Sequence, residues 1–473
     1  MAVEWSGSGP EVLVTLDRDR AVPLRAQLED QFRQAIRSGR LGRGEQVPSS
    51  RALATMLGLS RGLVQDAYAQ LQAEGYLVSR GGSATRVAWA ATSASPVRAA
   101  VSRASAPSVA DFKSGVPDLG LVPREDWAWA VREACRTAPN AAFDYGDPQG
   151  SPRLREVLAA YLRRVRAMDV SPGQVTVCTG MQQGLGLVLR ALALQGVRLV
   201  AFENPGAVTG TPAIAELAGM ASVPVPVDSL GIDVGLLDAS GAEAVLLTPA
   251  HQWPTGVVLA PSRRLELVEW ATRRRGTIIE DDYDAEFRYD RDPVGSMQGL
   301  APGVVVALGT VSKALAPALR LGWVVAPAPL GDSLSRMKAL TDRGSPGVDQ
   351  LALATLIESG RYDRHLRRMR AEYAARRDVL VLALASYAPG VRLTGLAAGF
   401  HAVAHLPAGV GEGPVISAAR ERGVGLYGMS SYRANGSSEP GQLVLGFGNT
   451  HQRAIRAGIA VLGQVLDGEA DGC

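Results

Sequence analysis

The hydrophobic pattern changes kind once along the chain, across an Ala/Ser-rich stretch at residues 89–110, and that break predicts two domains joined by a linker. Before it, Leu24, Leu28, Phe32 and Ile36 stand at i, i+4, i+8 and i+12, one stripe of an amphipathic helix closed at Gly39. LGRGEQVP reads as a turn. Ser50 is placed to cap a short helix carrying Leu53, Ala54 and Leu57 and stopping at Gly58; Ser60 then caps a helix whose apolar face is Leu63, Val64, Ala67, Tyr68 and Leu71. GYLVSRGGSATRVA gives two short alternating strands around Gly81-Gly82, a hairpin signal. Helix, turn, helix and two-stranded wing make residues 20–88 a predicted winged helix-turn-helix. After the break, apolar runs (VTVCTG, RLVAFE, AVLLTP, TIIEDDYD, VVVALGT, LRLGWVVAP) alternate with helical segments such as 181–195 and 261–275. That alternation predicts an α/β domain over residues 111–473, with a large, mostly parallel sheet and a ligand site at the strands' C-terminal ends. A long helix near 361–386 leads into a smaller C-terminal α+β unit.

Composition narrows the function classes. An apolar share of 47% with 20% charged residues suits a soluble globular protein. MAVEWSGSGPE has no signal-peptide pattern and runs such as Val379–Leu384 are too short to span a bilayer, so a cytoplasmic protein without membrane partners is expected. Cys135, Cys178 and Cys473 have neither metal-site spacing nor a disulfide framework, which fits a reducing compartment. The net charge of +3 is uneven. From Arg20 to Val87 there are ten Arg, no Lys and five acidic residues, a net of +5, leaving −2 for the rest. A basic first domain on a near-neutral body points to double-stranded DNA as that domain's partner.

On the helix opened by Ser60, the side opposite the apolar face carries Arg61, Gln65 and Ala69, with Gly62 at its edge. A recognition helix needs this division, with one side buried and the other short or hydrogen-bonding for the major groove. Arg61 suits guanine or a phosphate and Gln65 suits adenine, while Arg51 on the preceding helix suits a phosphate. A three-helix packing module with merely solvated arginines has the same periodicity.

The larger domain carries three candidate features. Of 49 basic residues only Lys113, Lys313 and Lys338 are lysines. Lys313, in LGTVSKALAPALRLGW, follows an apolar strand between Thr310, Ser312 and Arg320; a desolvated lysine there serves as an amine nucleophile, which arginine cannot do. The strand TIIEDDYDAEF ends in acids and Tyr283, and buried carboxylates need a cation or a metal. Metal binding by Glu280, Asp281, Asp282 and Asp284 is the weaker alternative, because alternation points neighbours to opposite faces and no His is near in sequence; no metal is expected. CTGMQQG joins a strand to a helix, where the amides of Gly180, Met181 and Gln182 suit a phosphate.

VPSSRALATMLGLSRGLVQDAYAQLQAEGYLVSRGGSATRV resembles the winged helix of GntR-family regulators, and the resemblance implies DNA contacts at Ser49, Arg51, Ser60 and Arg61, with Gln65 where relatives carry a basic residue and wing glycines near the minor groove. From about Asp111, YGDPQGSPRLREVLAAYL, TGMQQGL, TPAHQWPTG, IIEDDYDAEFRY, GTVSKALAPALRLGW and RHLRRMRAEYAARRD resemble the MocR/GabR-type regulators, which join such a winged helix to a fold type I aminotransferase-like domain. The implied cofactor is pyridoxal 5′-phosphate (PLP). Lys313 then forms the internal aldimine, Asp281 pairs with the pyridinium nitrogen and Tyr283 with the ring hydroxyl. Arg320, Ser312, Thr310 and the Gly180–Gln182 amides hold the phosphate, and Tyr145 reaches the site of a second subunit in a head-to-tail homodimer.

The chain departs from the aminotransferase pattern at three places. Trp253 replaces the Asn of NPTG, and Ala207 stands where relatives carry a ring-stacking aromatic, leaving His251 or Trp253 to cover the cofactor. Val444 stands where the substrate-carboxylate Arg is found, leaving Arg433 or its loop neighbours as effector contacts. The implied function is a PLP-dependent transcription regulator that senses PLP, an amine or an amino acid. The alternatives are an active aminotransferase with an autoregulatory DNA-binding domain, and a dimerisation scaffold without cofactor.

Overall fold

The computed structural model describes residues 14–79, 84–88, 108–284, 286–289 and 295–470. The chain divides into two units, residues 1–104 and 105–473. The wing tip at Gly81-Gly82, linker residues 89–107 and Cys473 lie outside the described residues.

In the first unit the Leu28/Phe32/Ile36 stripe becomes helix α1 (Leu24–Arg37), followed by α2 (Ser50–Leu57), α3 (Arg61–Ala73) and the antiparallel pair β1 (Leu77–Val78) and β2 (Arg86–Val87). Its core gathers Leu28, Phe32, Ile36, Leu53, Val64, Tyr68, Leu71, Leu77 and Val87. Phe32 meets Tyr68 edge to face at 5.7 Å, and the Tyr68 hydroxyl donates to the Pro48 carbonyl, which removes the cost of burying it. The cap of α2 corrects the sequence reading by one residue. Ser49, not Ser50, accepts from the Ala52 amide, because Ser49 holds the extended backbone a cap requires while Ser50 is already helical. Gly58 closes α2 in the left-handed conformation, and Ser60 caps α3 through the Leu63 amide.

The second unit is built on one eight-stranded sheet. Its elements in chain order are β3 (Ala110–Asp111), α4 (Arg124–Thr137), α5 (Pro152–Arg166), β4 (Val175–Cys178), α6 (Met181–Leu194), β5 (Leu199–Asn204), α7 (Gly210–Leu217), β6 (Ala221–Asp228), β7 (Gly231–Ile232), α8 (Val234–Ala239), β8 (Ala244–Leu247), α9 (Pro261–Arg274), β9 (Thr277–Asp282), α10 (Met297–Leu300), β10 (Val305–Thr310) and β11 (Gly322–Val325). The strand order is β4-β11-β10-β9-β8-β5-β6-β7. Five neighbouring strands, β10, β9, β8, β5 and β6, run parallel, and β11 is antiparallel to both β10 and β4. β4, β8 and β10 are buried at every residue, as strands covered on both faces must be.

Helices α11 (Ala328–Thr341), α12 (Gly347–Glu358) and α13 (Arg361–Tyr387) follow. α12 is buried along Gln350–Leu356, apolar nearly all round and central to the main core. The C-terminal part adds β12 (Arg392–Thr394), β13 (His401–His405), α14 (Glu412–Glu421), β14 (Val424–Gly425), β15 (Gln442–Gly446) and α15 (Gln452–Ala470), with β12-β13-β15 forming an antiparallel sheet. β3 pairs in parallel with β14, and the Val109 amide already donates to Gly423. Val109, just before Asp111, is thus already bonded into the larger unit.

Candidate cofactor cavity and DNA-facing surface

Parallel strands deliver their C-terminal ends to one edge of the sheet, and there the loops after β4, β5, β8, β9 and β10 enclose a cavity of about 460 Å³. At the β4–α6 junction Gly180 has φ +99°, and a Cβ there would fall 2.8 Å from the Arg320 guanidinium. Only glycine lets that cation close on the loop. Arg320 itself sits in the left-handed region (φ +50°) and donates to the Thr179 carbonyl. α6 begins at Met181, and Met181 and Gln182 line the same space, where a helix start favours an anion. Thr310 and Ser312 complete the group: their hydroxyls lie 2.8 Å apart, the Ser312 amide donates to Thr310 Oγ1, and Thr310 donates to the Leu321 carbonyl.

Next to this cradle, Lys313 donates its amine to the Gly115 carbonyl. Burial lowers its pKa, and the nearby Asp281 and Asp284 carboxylates oppose that shift. Asp281, on β9, is 9% exposed, and among the described residues its Oδ1 has no hydrogen-bond partner. Burial, and then the neighbouring Asp282 charge, push its pKa up to about 7. Tyr283 donates to the His251 carbonyl at 3.1 Å and lines the cavity. An orphaned buried carboxylate oxygen, a partly desolvated amine and an anion cradle are the donor set that PLP requires. These residues fit it.

Two of the expected contacts, His251 and Arg433, lie elsewhere. His251 does not line the cavity. It is buried behind Tyr283, with Nδ1 2.8 Å from Asp284 Oδ2 and its ring 4.6 Å from that of His401. Trp253 faces the cavity instead and meets Tyr432 edge to face at 4.8 Å. Arg433 is turned away from the cavity's lining: its guanidinium binds the carbonyls of Ser437, Glu439 and Pro440 and the Gln442 side chain, so it staples its own loop. Its neighbours Ser431 and Tyr432 line the cavity, with the Tyr432 hydroxyl 3.0 Å from Ser114 Oγ. Val444 is fully buried with Val403 and Met429 beneath Tyr432. Tyr145 is 73% exposed, outside this cavity, with Arg343 over its ring.

Sequence reasoning missed Gly115, Glu203 and Thr248 on the cavity wall. Glu203 accepts from the Thr248 amide and hydroxyl, and burial raises its pKa to about 7. A carboxylate ending the apolar run RLVAFE was the available signal. The fold also brings His251 and His401 to Asp284, their ligand-type atoms within 4.8 Å, which spacing along the chain did not suggest. His401 Nε2 donates to the Pro254 carbonyl at 3.2 Å, and Gly399 packs directly on the His251–Asp284 contact.

In the first unit, Ser49, Arg51, Ser60, Arg61 and Gln65 are all exposed, as are Gly62, Asp66 and Ala69 on the same helix. The arginines of this unit sort by role. Arg25 and Arg33 are paired with Glu29 and Glu74, whereas among the described residues Arg51 and Arg61 form no ion pair.

Residues 24–87 match the model for bacterial regulatory proteins of the gntR family, and residues 107–424 match that for aminotransferase class I and II. Over 94% of its length the chain is 33% identical to the probable rhizopine catabolism regulatory protein MocR of Rhizobium meliloti, also covering 94% of that protein. This chain is a GntR-family regulator of the MocR type. The regulator is likewise 32% identical to the pyridoxine biosynthesis transcriptional regulator PdxR of Corynebacterium glutamicum, with 94% and 96% of the two chains covered. The multiple substrate aminotransferase of Thermococcus profundus superposes on 80% of the chain, and 96% of that enzyme, with a TM-score of 0.71 and 25% identity. No helix among the described residues is long and apolar enough to cross a membrane.

Proposed function

We propose that this regulator binds PLP in the cavity at Lys313, and that occupancy by PLP, alone or with an amine, sets how the winged helix engages a double-stranded operator. The observation that carries this reading is Asp281 Oδ1, a buried carboxylate oxygen without a partner beside a desolvated lysine and a built anion cradle. When bound, PLP supplies an aldehyde that combines reversibly with primary amines. The residues divide the remaining work. Arg320, Ser312, Thr310 and the Gly180–Gln182 amides take the phosphate, and Asp281 holds the proton of the ring nitrogen. Tyr283, fixed by the His251 carbonyl, would hold the ring hydroxyl. Lys313, its pKa lowered by burial, presents a neutral amine more readily than a surface lysine does.

Sensing is favoured over turnover because nothing in the described cavity grips a substrate α-carboxylate. Val444 is apolar and buried, and Arg433 is committed to its own loop. Transamination must hold its substrate through two half-reactions, whereas sensing needs a single binding event. The relative named for pyridoxine biosynthesis supports PLP itself as one signal. The exposed Tyr145 and Phe143, on a concave face built from residues 141–147 and 342–347, support a homodimer in which Tyr145 reaches the partner's cavity.

The test is footprinting of the purified protein on the intergenic DNA flanking its own gene, with and without PLP. Salt-sensitive protection of repeated half-sites that changes with PLP is expected. Absence of specific protection under both conditions ends this reading. Ordinary enzymatic rates of pyridoxamine phosphate formation with common amino acids would replace it with the aminotransferase reading.

A further inference from the structure

The cavity is larger than its anion cradle and runs past it. Part of its lining is apolar and comes from α6, α7 and the ends of β5 and β8; this part forms an annex to the cradle. Met181 and Leu185, one turn apart on α6, Ile214 on α7, and Phe202 and Leu246 on β5 and β8 line it. Ala207, which offers a single methyl group, stands at the loop entering α7.

Charge is distributed unevenly over this lining. The only cations among the described cavity residues are Lys313 and Arg320. Arg320 belongs to the cradle, where it closes on Gly180 and Thr179. The polar groups on the β5–α7 side are the carboxyl of Glu203, which accepts from Thr248 after β8, and the hydroxyls of Thr209 and Thr211. Among the described residues of one protomer, a carboxylate placed there meets no cation and one carboxyl group, so it would be desolvated without compensation. An ammonium group and an apolar chain both find partners.

We propose that the annex is an effector subsite selective for primary amines that carry an apolar substituent and no α-carboxylate, with Ala207 and Ile214 setting the size accepted. This rests on the reading that PLP binds at Lys313, and it names the ligand class of that same site. Ala207 leaves the entrance open, and the five apolar side chains supply the affinity. Each further methylene taken into the annex should raise affinity about fourfold until the space is filled.

The experiment uses the full-length protein and matched ligands that differ only by the carboxylate: 3-methylbutylamine against leucine, and phenethylamine against phenylalanine. PLP is titrated first, by calorimetry and thermal melting. The amines and amino acids are then titrated into the PLP-saturated protein with the same two readouts. Each amine is expected to bind at least tenfold more tightly than its amino acid. Ala207→Phe should weaken phenethylamine at least tenfold. Ile214→Ala, which enlarges the annex, should shift preference from 3-methylbutylamine towards phenethylamine. Equal or tighter binding of the amino acids overturns the proposal, as does unchanged amine affinity in both variants. Failure of PLP itself to bind in the first titration overturns the cofactor reading and this one with it; normal PLP binding without amine preference overturns this one alone.

Discussion

Lys313 and Lys338 show how much a side chain's surroundings decide its role. Lys338 is buried and Lys313 half-buried, in a chain with only three lysines among its 49 basic residues. Lys338 is fully buried and bound to Asp342 at 2.8 Å, Ser345 at 3.0 Å and Gln183 at 3.4 Å, so its charge is satisfied and structural. Lys313 has one carbonyl partner and faces a cavity. Lys313→Ala is therefore expected to abolish the visible absorbance that PLP acquires on joining an amine, with little loss of stability. Lys338→Ala should keep that absorbance and lose about 1–3 kcal/mol of stability, since it strands hydrogen-bonding groups of Gln183 and Asp342. Spectra and urea unfolding of the two variants check this. Asp281 gives a second residue-scale prediction. Its pKa is raised to about 7 in the fold, so the folded state holds a proton that the unfolded chain releases at ordinary carboxylate values. Stability of the PLP-free protein should thus fall as pH rises from about 4 through 7. Asp281→Asn removes that contribution, so the variant should gain on the wild type by about 2–4 kcal/mol between pH 4 and pH 8. Urea midpoints at the two pH values, compared between the proteins, read it out. An equal pH slope in both would show that Asp281 is not the titrating group.

At the scale of elements, the sequence announced what is local and left silent what the fold assembles. The Leu28/Phe32/Ile36 stripe, the Ser60 cap and the Gly58 stop are written in neighbouring residues, and the helices form where that pattern places them. The Ser49/Ser50 cap was ambiguous because either hydroxyl fits a pattern, and only backbone conformation separates them. Gly180, Asp281 and Lys313 were legible because each ends a strand of a parallel sheet, where such folds collect their ligands. Arg433 misled because its partners, Ser437 to Gln442, arise from a loop conformation that spacing does not encode. His251 misled in the same way, since Asp284 and His401 reach it from distant segments. The exposed sides of α2 and α3 carry a prediction. Arg51 and Arg61 form no ion pair among the described residues, and Gln65 stands one turn beyond Arg61. Arg51→Ala should weaken operator and random DNA alike and reduce the slope of log affinity against log salt by about 1. Gln65→Ala should leave that slope unchanged and lose about 1–3 kcal/mol of discrimination at a single base position. Electrophoretic shifts at several salt concentrations, on operator variants and random DNA, distinguish the two.

At the scale of the whole molecule the question is whether the two units share free energy. A binding cavity in one and a DNA-facing helix in the other make a sensor only if ligand and DNA change each other's affinity. Linkage makes that requirement quantitative: if PLP changes operator affinity by some factor, the operator must change PLP affinity by the same factor and in the same direction. A coupling of about 1–3 kcal/mol, or roughly 5–150-fold, is the usual size of such an effect. PLP affinity should therefore be measured by fluorescence with no DNA, with saturating operator and with saturating random DNA. Operator affinity should be measured with and without PLP at the same salt. Equal factors in the two directions, absent with random DNA, are expected. In Lys313→Ala the operator should still bind, but PLP should no longer alter its affinity, because the winged helix is intact and the cavity has lost its amine. Equal operator affinities with and without PLP in the wild type would leave two competent domains on one chain and no sensor. A coupling factor near one for PLP alone but well above one for PLP with 3-methylbutylamine would instead assign the signal to the annex, making the cofactor a fixed part of the receptor and the amine the message.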